Sequence, residues 1–422
     1  MPRIAKETAT VSLLFVLYTV NGIDRVCLSI AMPLLADHYH FSPMQEGVLF
    51  SSFFWTYCLF QVPSGLMLDM VVPSVVIVAA VACWGIAAAL SGAAVGFGTL
   101  LASRLMLGLF EAPFMPAANL IVERTAGGSA RQGRITIIDS GAAFGAAVGS
   151  YVASAVVAAT GSWRLAFLLT GGAAVCLAPL AWRRLVGNGT AGRPLALPSG
   201  GRGAPAGFRG VLTRDVLYMC LGRIAFANVF FGFASWAPSL LIARRHISLE
   251  TAGIITALMF VAAGAGEIVG GAVFGRLRRR RGFDSALRMT IGLSGSVGLA
   301  ALVAANAIGN LAACAATLVV GLFFYMFGGI YWVIPAAIAP EGRMGLVGGI
   351  LNFSGTFGGI AVGIVSGWIV KNWGYGALYG YFLTCMALYI LFSMCLRPRG
   401  RAGGVSARDD GGGLAVASGV PD

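Results

Sequence analysis

Seven charged residues stand where the chain otherwise reads as hydrocarbon. Asp24 and Arg25 are adjacent inside "TVNGIDRVCLSIAMPLL", in an almost unbroken apolar run from Val11 to Leu35. Arg104 and Glu111 share another run, Arg223 lies in a third, and Asp139 and Glu267 fall nearer the ends of two more. A charge at the centre of a bilayer costs from about 2.5 to well over 10 kcal/mol, so such residues face a bundle interior or a wet cavity and are usually paired. Asp24, Arg25 and Glu111 sit at the midpoints of their runs. Arg104 precedes Glu111 by seven residues, nearly two helical turns, which puts it on the same face and about 10 Å nearer the outside. Arginine stays charged at any physiological pH and suits a fixed anion anchor. A carboxylate in a dry site can hold a proton near neutrality. The chemistry on offer is proton-coupled anion binding, with arginine for a substrate carboxylate and acids for the proton. The competing reading is an ion pair that only holds helices together.

Elements able to carry these residues follow from composition. The chain has 422 residues, 58% hydrophobic and only 11% charged, with mean hydropathy +0.84. A soluble domain carries about 25% charged residues, so this is a membrane protein. The first run is too long for a signal peptide, carries a charge pair and is followed by others. Runs at 11–35, 46–69, 71–92, 99–122, 135–159, 163–185, 214–241, 250–275, 288–306, 311–338, 345–370 and 374–396 are each long enough to cross a bilayer as a helix. Twelve spans make an all-α membrane protein; segments of about ten alternating residues, as in a barrel, are absent. With the N-terminus inside, cytoplasmic segments hold 22 Lys and Arg and external ones 4, the other three being Arg25, Arg104 and Arg223 within spans. The positive-inside rule then puts both termini in the cytoplasm. The net charge of +13 is topology, and the basic run "GRLRRRRGF" at a helix end is no nucleic-acid site.

A Gly-, Pro- and Arg-rich stretch at 187–213 divides the chain into an N-terminal half, 1–186, and a C-terminal half, 214–396. A Gly-rich cytoplasmic tail, 397–422, is expected to be disordered. The halves echo each other: "PAANLIVERTAGGSARQGRITII" runs into a Gly-rich helix, as does "PAAIAPEGRMGLVGGILNFSGTFGGIAVG". Two repeated six-helix halves with a site between them at the midplane are the pattern of secondary transporters. The eight cysteines lie in apolar segments without paired spacing and read as core residues. His38, His40 and His246 lie in expected external loops, and neither a nucleophile–base set nor metal spacing occurs. No enzyme, metal or cofactor is expected.

"NGIDRVCLSIAMPLL", "FWTYCLFQVPSGLMLD" and "SRLMLGLFEAPFMPAAN", with "FASWAPSLL", "IYWVIPAAIAPEGRMG" and "GGILNFSGTFGGI" further on, resemble the major facilitator superfamily. Within it they resemble the anion:cation symporter branch, to which bacterial D-galactonate and hexuronate transporters and sialin belong. The resemblance covers about residues 11–396. It implies proton-coupling roles for Asp24 and Glu111, a substrate-carboxylate anchor at Arg25 and a charge partner at Arg104. Cavity contacts to substrate hydroxyls are implied at Tyr57, Trp332 and Asn352. Tyr57 and Trp332 also suit ordinary packing, and Gln61 suits either the cavity or a bridge between helices. Two departures stand out. The gating loop after the second helix keeps Gly65 and Asp69 but lacks its usual basic residues. Arg223 stands where sugar-acid members have an amide.

The expected protein is a secondary transporter of the inner (plasma) membrane. It imports a small organic anion, a sugar acid or dicarboxylate, with protons as coupling ion, working among lipids as a monomer by alternating access. A drug or metabolite exporter of the same fold is the alternative; it has no need of Arg25. Arg25 and Arg223 lie on the first and seventh helices, equivalent places in the two halves. Two cations facing one cavity suit a dianion, because a monoanion leaves Arg223 unpaired.

Overall fold

The computed structural model of the protein describes residues 2–125, 130–187, 211–340 and 343–397; the expected linker and tail lie almost wholly outside them. The first half comprises α1 (Pro2–Tyr39), α2 (Pro43–Met70), α3 (Pro73–Gly92), α4 (Phe97–Glu111), α5 (Phe114–Thr125), α6 (Ala130–Thr160) and α7 (Trp163–Ala181), with a π-helical turn over Trp182–Gly187. The second comprises α8 (Arg214–Arg245), α9 (Leu249–Arg281), α10 (Phe283–Ala307) and α11 (Leu311–Tyr325). After a 3₁₀ segment at Met326–Val333 come α12 (Ile334–Ile338), α13 (Met344–Trp373) and α14 (Ala377–Met394).

Eleven helical stretches among the described residues are long and apolar enough to cross a membrane. The expected second span, α2, is not among them, although its 28 residues are ample in length. Its apolar character is diluted by Ser51, Ser52, Thr56, Tyr57, Gln61 and Ser64. The serine hydroxyls fold back onto carbonyls three residues earlier, and Thr56 Oγ1 donates to the Leu105 carbonyl at 2.7 Å, so these groups reach the interior already bonded.

Helix limits follow local chemistry. Ser42 and Gln45 form a capping box at α2, and Ser162, Thr213, Ser248 and Asn310 cap α7, α8, α9 and α11. α9 runs six residues past its expected end and includes Arg276–Arg281, stopping at Gly282 with φ +78°. The main correction concerns the fourth and tenth spans, expected as single helices. Each is interrupted. Pro113 lacks an N–H and breaks the chain between α4 and α5, directly after Glu111. The tenth span winds into the 3₁₀ segment and resumes as α12 around Pro335. The interrupted helices occupy equivalent places in the two halves, as in transporters whose sites use broken helices.

Within the first half α1 packs on α6, α3 on α7 and α2 on α4; within the second α8 packs on α14 and α10 on α11. The halves meet along α2–α13, α6–α9 and α1–α8. At the end opposite the N-terminus this seam is tight. A methyl at Gly47 would collide with the Gly363 carbonyl; Phe50 meets Trp236 edge-to-face at 5.1 Å and Phe54 packs tilted against Phe231 at 4.7 Å. Such close crossings of small and aromatic residues matter because lipid is as apolar as any side chain and offers no hydrophobic drive between helices. Toward the N-terminal end the seam parts, and Asp139 on α6 and Glu267 on α9 are exposed. The bundle is sealed at one end and open at the other.

Candidate substrate and proton site

The first half supplies a guanidinium held by an acid. Arg25 Nε on α1 donates to Glu111 Oε2 at 2.7 Å; the Glu111 side chain is 0% exposed and that of Arg25 27%. Arg25 therefore forms part of the cavity wall, with its acid behind it. Its guanidinium lies 4.7 Å from the Phe53 ring centre and 5.2 Å from that of Tyr57, close enough for cation–π attraction from both. The other Glu111 oxygen, Oε1, is buried without a partner.

Behind this wall lies a sealed polar pocket. Asp24 is buried with the Thr170 hydroxyl and Trp84 Nε1 beside it, and the Asn21 amide, one turn earlier, faces Glu111. Asp24 lies in the fields of Glu111 and Arg104. Two buried carboxyl groups thus sit among neutral donors and one guanidinium, Arg104. Arg104 stands 5.8 Å over Phe53, and among the described residues no carboxylate approaches it within salt-bridge distance. It is adjacent to the acids, as its spacing implied, but does not touch them here.

The second half supplies a guanidinium held by rings. Arg223 on α8 lies 5.4 Å from each of Phe226 and Trp332. Trp332, in the 3₁₀ segment, is 48% exposed and so lines the open space. Arg223 Nε is buried without a partner, and among the described residues Arg223 makes no ion pair. Its seat requires Gly355 on α13: a methyl there would stand 2.9 Å from Nε. One turn earlier, Asn352 Nδ2 donates to Gln61 Oε1 at 3.2 Å, so Gln61 bridges the two halves and Asn352 is its partner. Tyr57 is half-buried beside Arg25. Asp139 lies in the fields of both Arg25 and Arg223, and Glu267 in those of Asp139 and Arg223. Asp139 is thus within electrostatic reach of both arginines.

Nine of the expected residues gather around this space or the pocket behind it: Asp24, Arg25, Tyr57, Gln61, Arg104, Glu111, Arg223, Trp332 and Asn352. Gly65 does not; it is exposed at the open end of α2, and a Cβ there would meet nothing within 4 Å. The Asp69 side chain lies outside the described residues. Sequence reasoning missed the supports. Phe53 lies one turn before Tyr57, Phe226 three residues after Arg223, and Gly355 three after Asn352, all at helical-neighbour spacing from residues already singled out.

A family model described as Major Facilitator Superfamily matches residues 14–363. The chain is 26% identical over 401 residues to the D-galactonate transporter of Escherichia coli O6:H1, covering 90% of this chain and 92% of that protein. It is 27% identical over 401 residues to the hexuronate transporter of Bacillus subtilis, covering 91% and 92%. With a probable galactarate/D-glucarate transporter of Escherichia coli K12 it shares 25% over 394 residues, 86% and 87% of the two chains. Among solved structures, a bacterial homologue of the human lysosomal transporter Spinster, inward-facing and unoccupied, superposes with a TM-score of 0.73 at 19% identity over 93% of this chain and 95% of that one.

Proposed function

The chain belongs to the Major Facilitator Superfamily, and we propose that within it this protein imports an organic anion by proton symport. The observation that carries the reading is the Arg25–Glu111 contact of 2.7 Å at the cavity wall. Only Nε of Arg25 is used by Glu111, which leaves its Nη groups open to a substrate carboxylate. An ionised Glu111 cancels the charge that draws an anion there; once Glu111 is protonated, that charge is uncompensated and attracts the substrate carboxylate. Proton and anion then bind together, and each favours the other. Charge-assisted pairs of this kind contribute about 1.5–3 kcal/mol, enough to couple the two ligands strongly. Asp24, buried behind the wall beside Thr170 and Trp84, is a second resting place for the proton, and Arg104 sets the field between the two acids.

A bundle sealed at one end and open at the other supports alternating access. The arginine-rich segments favour the cytoplasm of a plasma membrane for the open end and both chain ends, which makes the conformation cytoplasm-facing, with Glu111 on Arg25. Relatives at about a quarter identity are a D-galactonate transporter, a hexuronate transporter and a probable galactarate/D-glucarate transporter, which supports a sugar acid as substrate. The unpaired Arg223, within electrostatic reach of the same Asp139 as Arg25, favours a diacid: one carboxylate for each arginine, with Tyr57, Asn352 and Trp332 along the hydroxylated middle. The test is uptake of labelled sugar acids, hexarates and dicarboxylates into right-side-out vesicles, with and without a proton ionophore. Ionophore-sensitive accumulation is expected; accumulation indifferent to the ionophore would overturn proton symport.

A further inference from the structure

The seam between α6 and α9 has a regular register. Gly253 packs against Ser150 and Ser154 near the sealed end. Two turns further along α9, Phe260 clusters with Ala146 and Ala147. One turn on, Gly264 faces the Ala143 methyl, 3.5 Å from where its own Cβ would start. The helices are antiparallel, so each step toward the open end of α9 matches an equal step back along α6. The next step brings Glu267 opposite Asp139. Here contact ends: both carboxylates are exposed, and each lies in the other's reach across the parted seam.

The charged groups around them are few. α1 presents Arg25 and Tyr18 to Asp139, and α8 presents Arg223 to both acids. No charged group of α7, α10 or α11 acts on either. Glu267 rests over Gly329 of the 3₁₀ segment, its Oε1 3.1 Å from where a Cβ would stand. Among the described residues neither acid makes an ion pair.

Closing the open end swings the parted portions of α6 and α9 together about the Gly264–Ala143 contact. Asp139 and Glu267 form the first layer to meet. Two carboxylates forced together out of water do not both stay ionised. In the empty carrier Arg223 is unpaired and lies within reach of both acids, so it can stand between them during closure. In the loaded carrier, on the reading that Arg223 takes a substrate carboxylate, that cation is withdrawn and a proton must replace it. We propose that Asp139 and Glu267 share one transported proton in the substrate-loaded carrier, in addition to the proton exchanged at Glu111. The proton binds one carboxylate oxygen and donates to the other acid as an O–H···O⁻ bond. It leaves to the cytoplasm when the seam parts.

The test uses the full chain in proteoliposomes, with labelled D-glucarate and, in parallel, D-galactonate. With the membrane potential clamped at zero, one pH unit sustains about tenfold accumulation per coupled proton, since it is worth about 1.4 kcal/mol. Asp139→Asn and Glu267→Gln should each lower the accumulation ceiling about tenfold per pH unit, and the double variant no further, because one proton is shared. Counterflow exchange should persist in all three. Unchanged ceilings overturn the proposal, and so does an additive loss of two protons. If a variant loses exchange as well, proton uptake on adding D-glucarate to purified protein, read with a pH dye, decides: one proton fewer than wild type supports the shared site, an equal number refutes it. A wild type that exchanges but never accumulates would defeat the symport reading itself, a different result from an unaltered stoichiometry in the variants.

Discussion

Arg25 and Arg223 occupy equivalent helices of the two halves and lie within electrostatic reach of the same acid, Asp139, yet they are held differently. Arg25 has an acid at 2.7 Å behind it and two rings beside it. Arg223 has two rings, a glycine beneath and no ion pair among the described residues. Both halves interrupt their fourth helix next to the site, after Glu111 in one and around Trp332 in the other. The same backbone device therefore presents a titratable group in the first half and an aromatic surface in the second. The charge of Arg25 is masked or exposed by a proton on Glu111, whereas Arg223 has no bonded acid among the described residues. The Glu111 proton belongs to the first half; the proposed Asp139–Glu267 proton and recognition are shared between them.

The contrast breaks most readily at Arg25. Arg25→Lys keeps the charge but loses the planar fork and its place over two rings. An exchange affinity lower by about thirtyfold or more is expected, from about 2 kcal/mol of charge-assisted bonding. Normal membrane insertion with wild-type affinity would reduce Arg25 to a structural tie. Next comes Arg223→Gln, which restores the amide of sugar-acid relatives implied by the resemblance. Competition of labelled uptake by matched diacids and monoacids should shift about tenfold toward monoacids, the size of one charged contact near 1.5 kcal/mol. An unchanged ranking means Arg223 does not read the substrate.

Gly355→Ala sharpens the same contrast without touching a charge. The new methyl displaces the Arg223 head, and an off-rotamer arginine costs about 0.5–1.5 kcal/mol. Diacid affinity should fall about threefold to tenfold while monoacid affinity holds; equal losses for both classes would point to general damage to α13. The smallest effect is expected from Asn352→Leu. It removes the Gln61 bridge, a neutral bond of about 1 kcal/mol, and should alter the balance between the open and closed ends by about fivefold. Labelling of a cysteine placed at Gly271, at the open end, reads that balance.

Much of this was legible in the chain. Apolar length gave the spans, and charge at span midpoints gave Asp24, Arg25, Arg104, Glu111 and Arg223, because ionised groups in a bilayer are too costly to be incidental. Three things were hidden. The breaks after Glu111 and around Trp332 were not seen, since hydropathy is blind to a proline's missing N–H. The ring supports Phe53 and Phe226 look like any apolar residue until a cation is found above them. The facing of Asp139 and Glu267 depends on the register of α6 against α9, and a single chain carries no direct sign of which helices pair. Spacing placed Arg104 beside the acids correctly, but whether it touches them depends on side-chain geometry, and here it does not.

The central claim is that a proton on Glu111 unmasks the charge of Arg25 for the substrate. Glu111→Gln fixes the protonated form, so the decisive measurement compares this variant with wild type in energised right-side-out vesicles, recording gradient-driven accumulation and counterflow of the same labelled sugar acid. The account predicts that the accumulation ceiling falls about tenfold per pH unit, the loss of one coupled proton, while counterflow continues. A Glu111→Gln protein with the wild-type ceiling would contradict it.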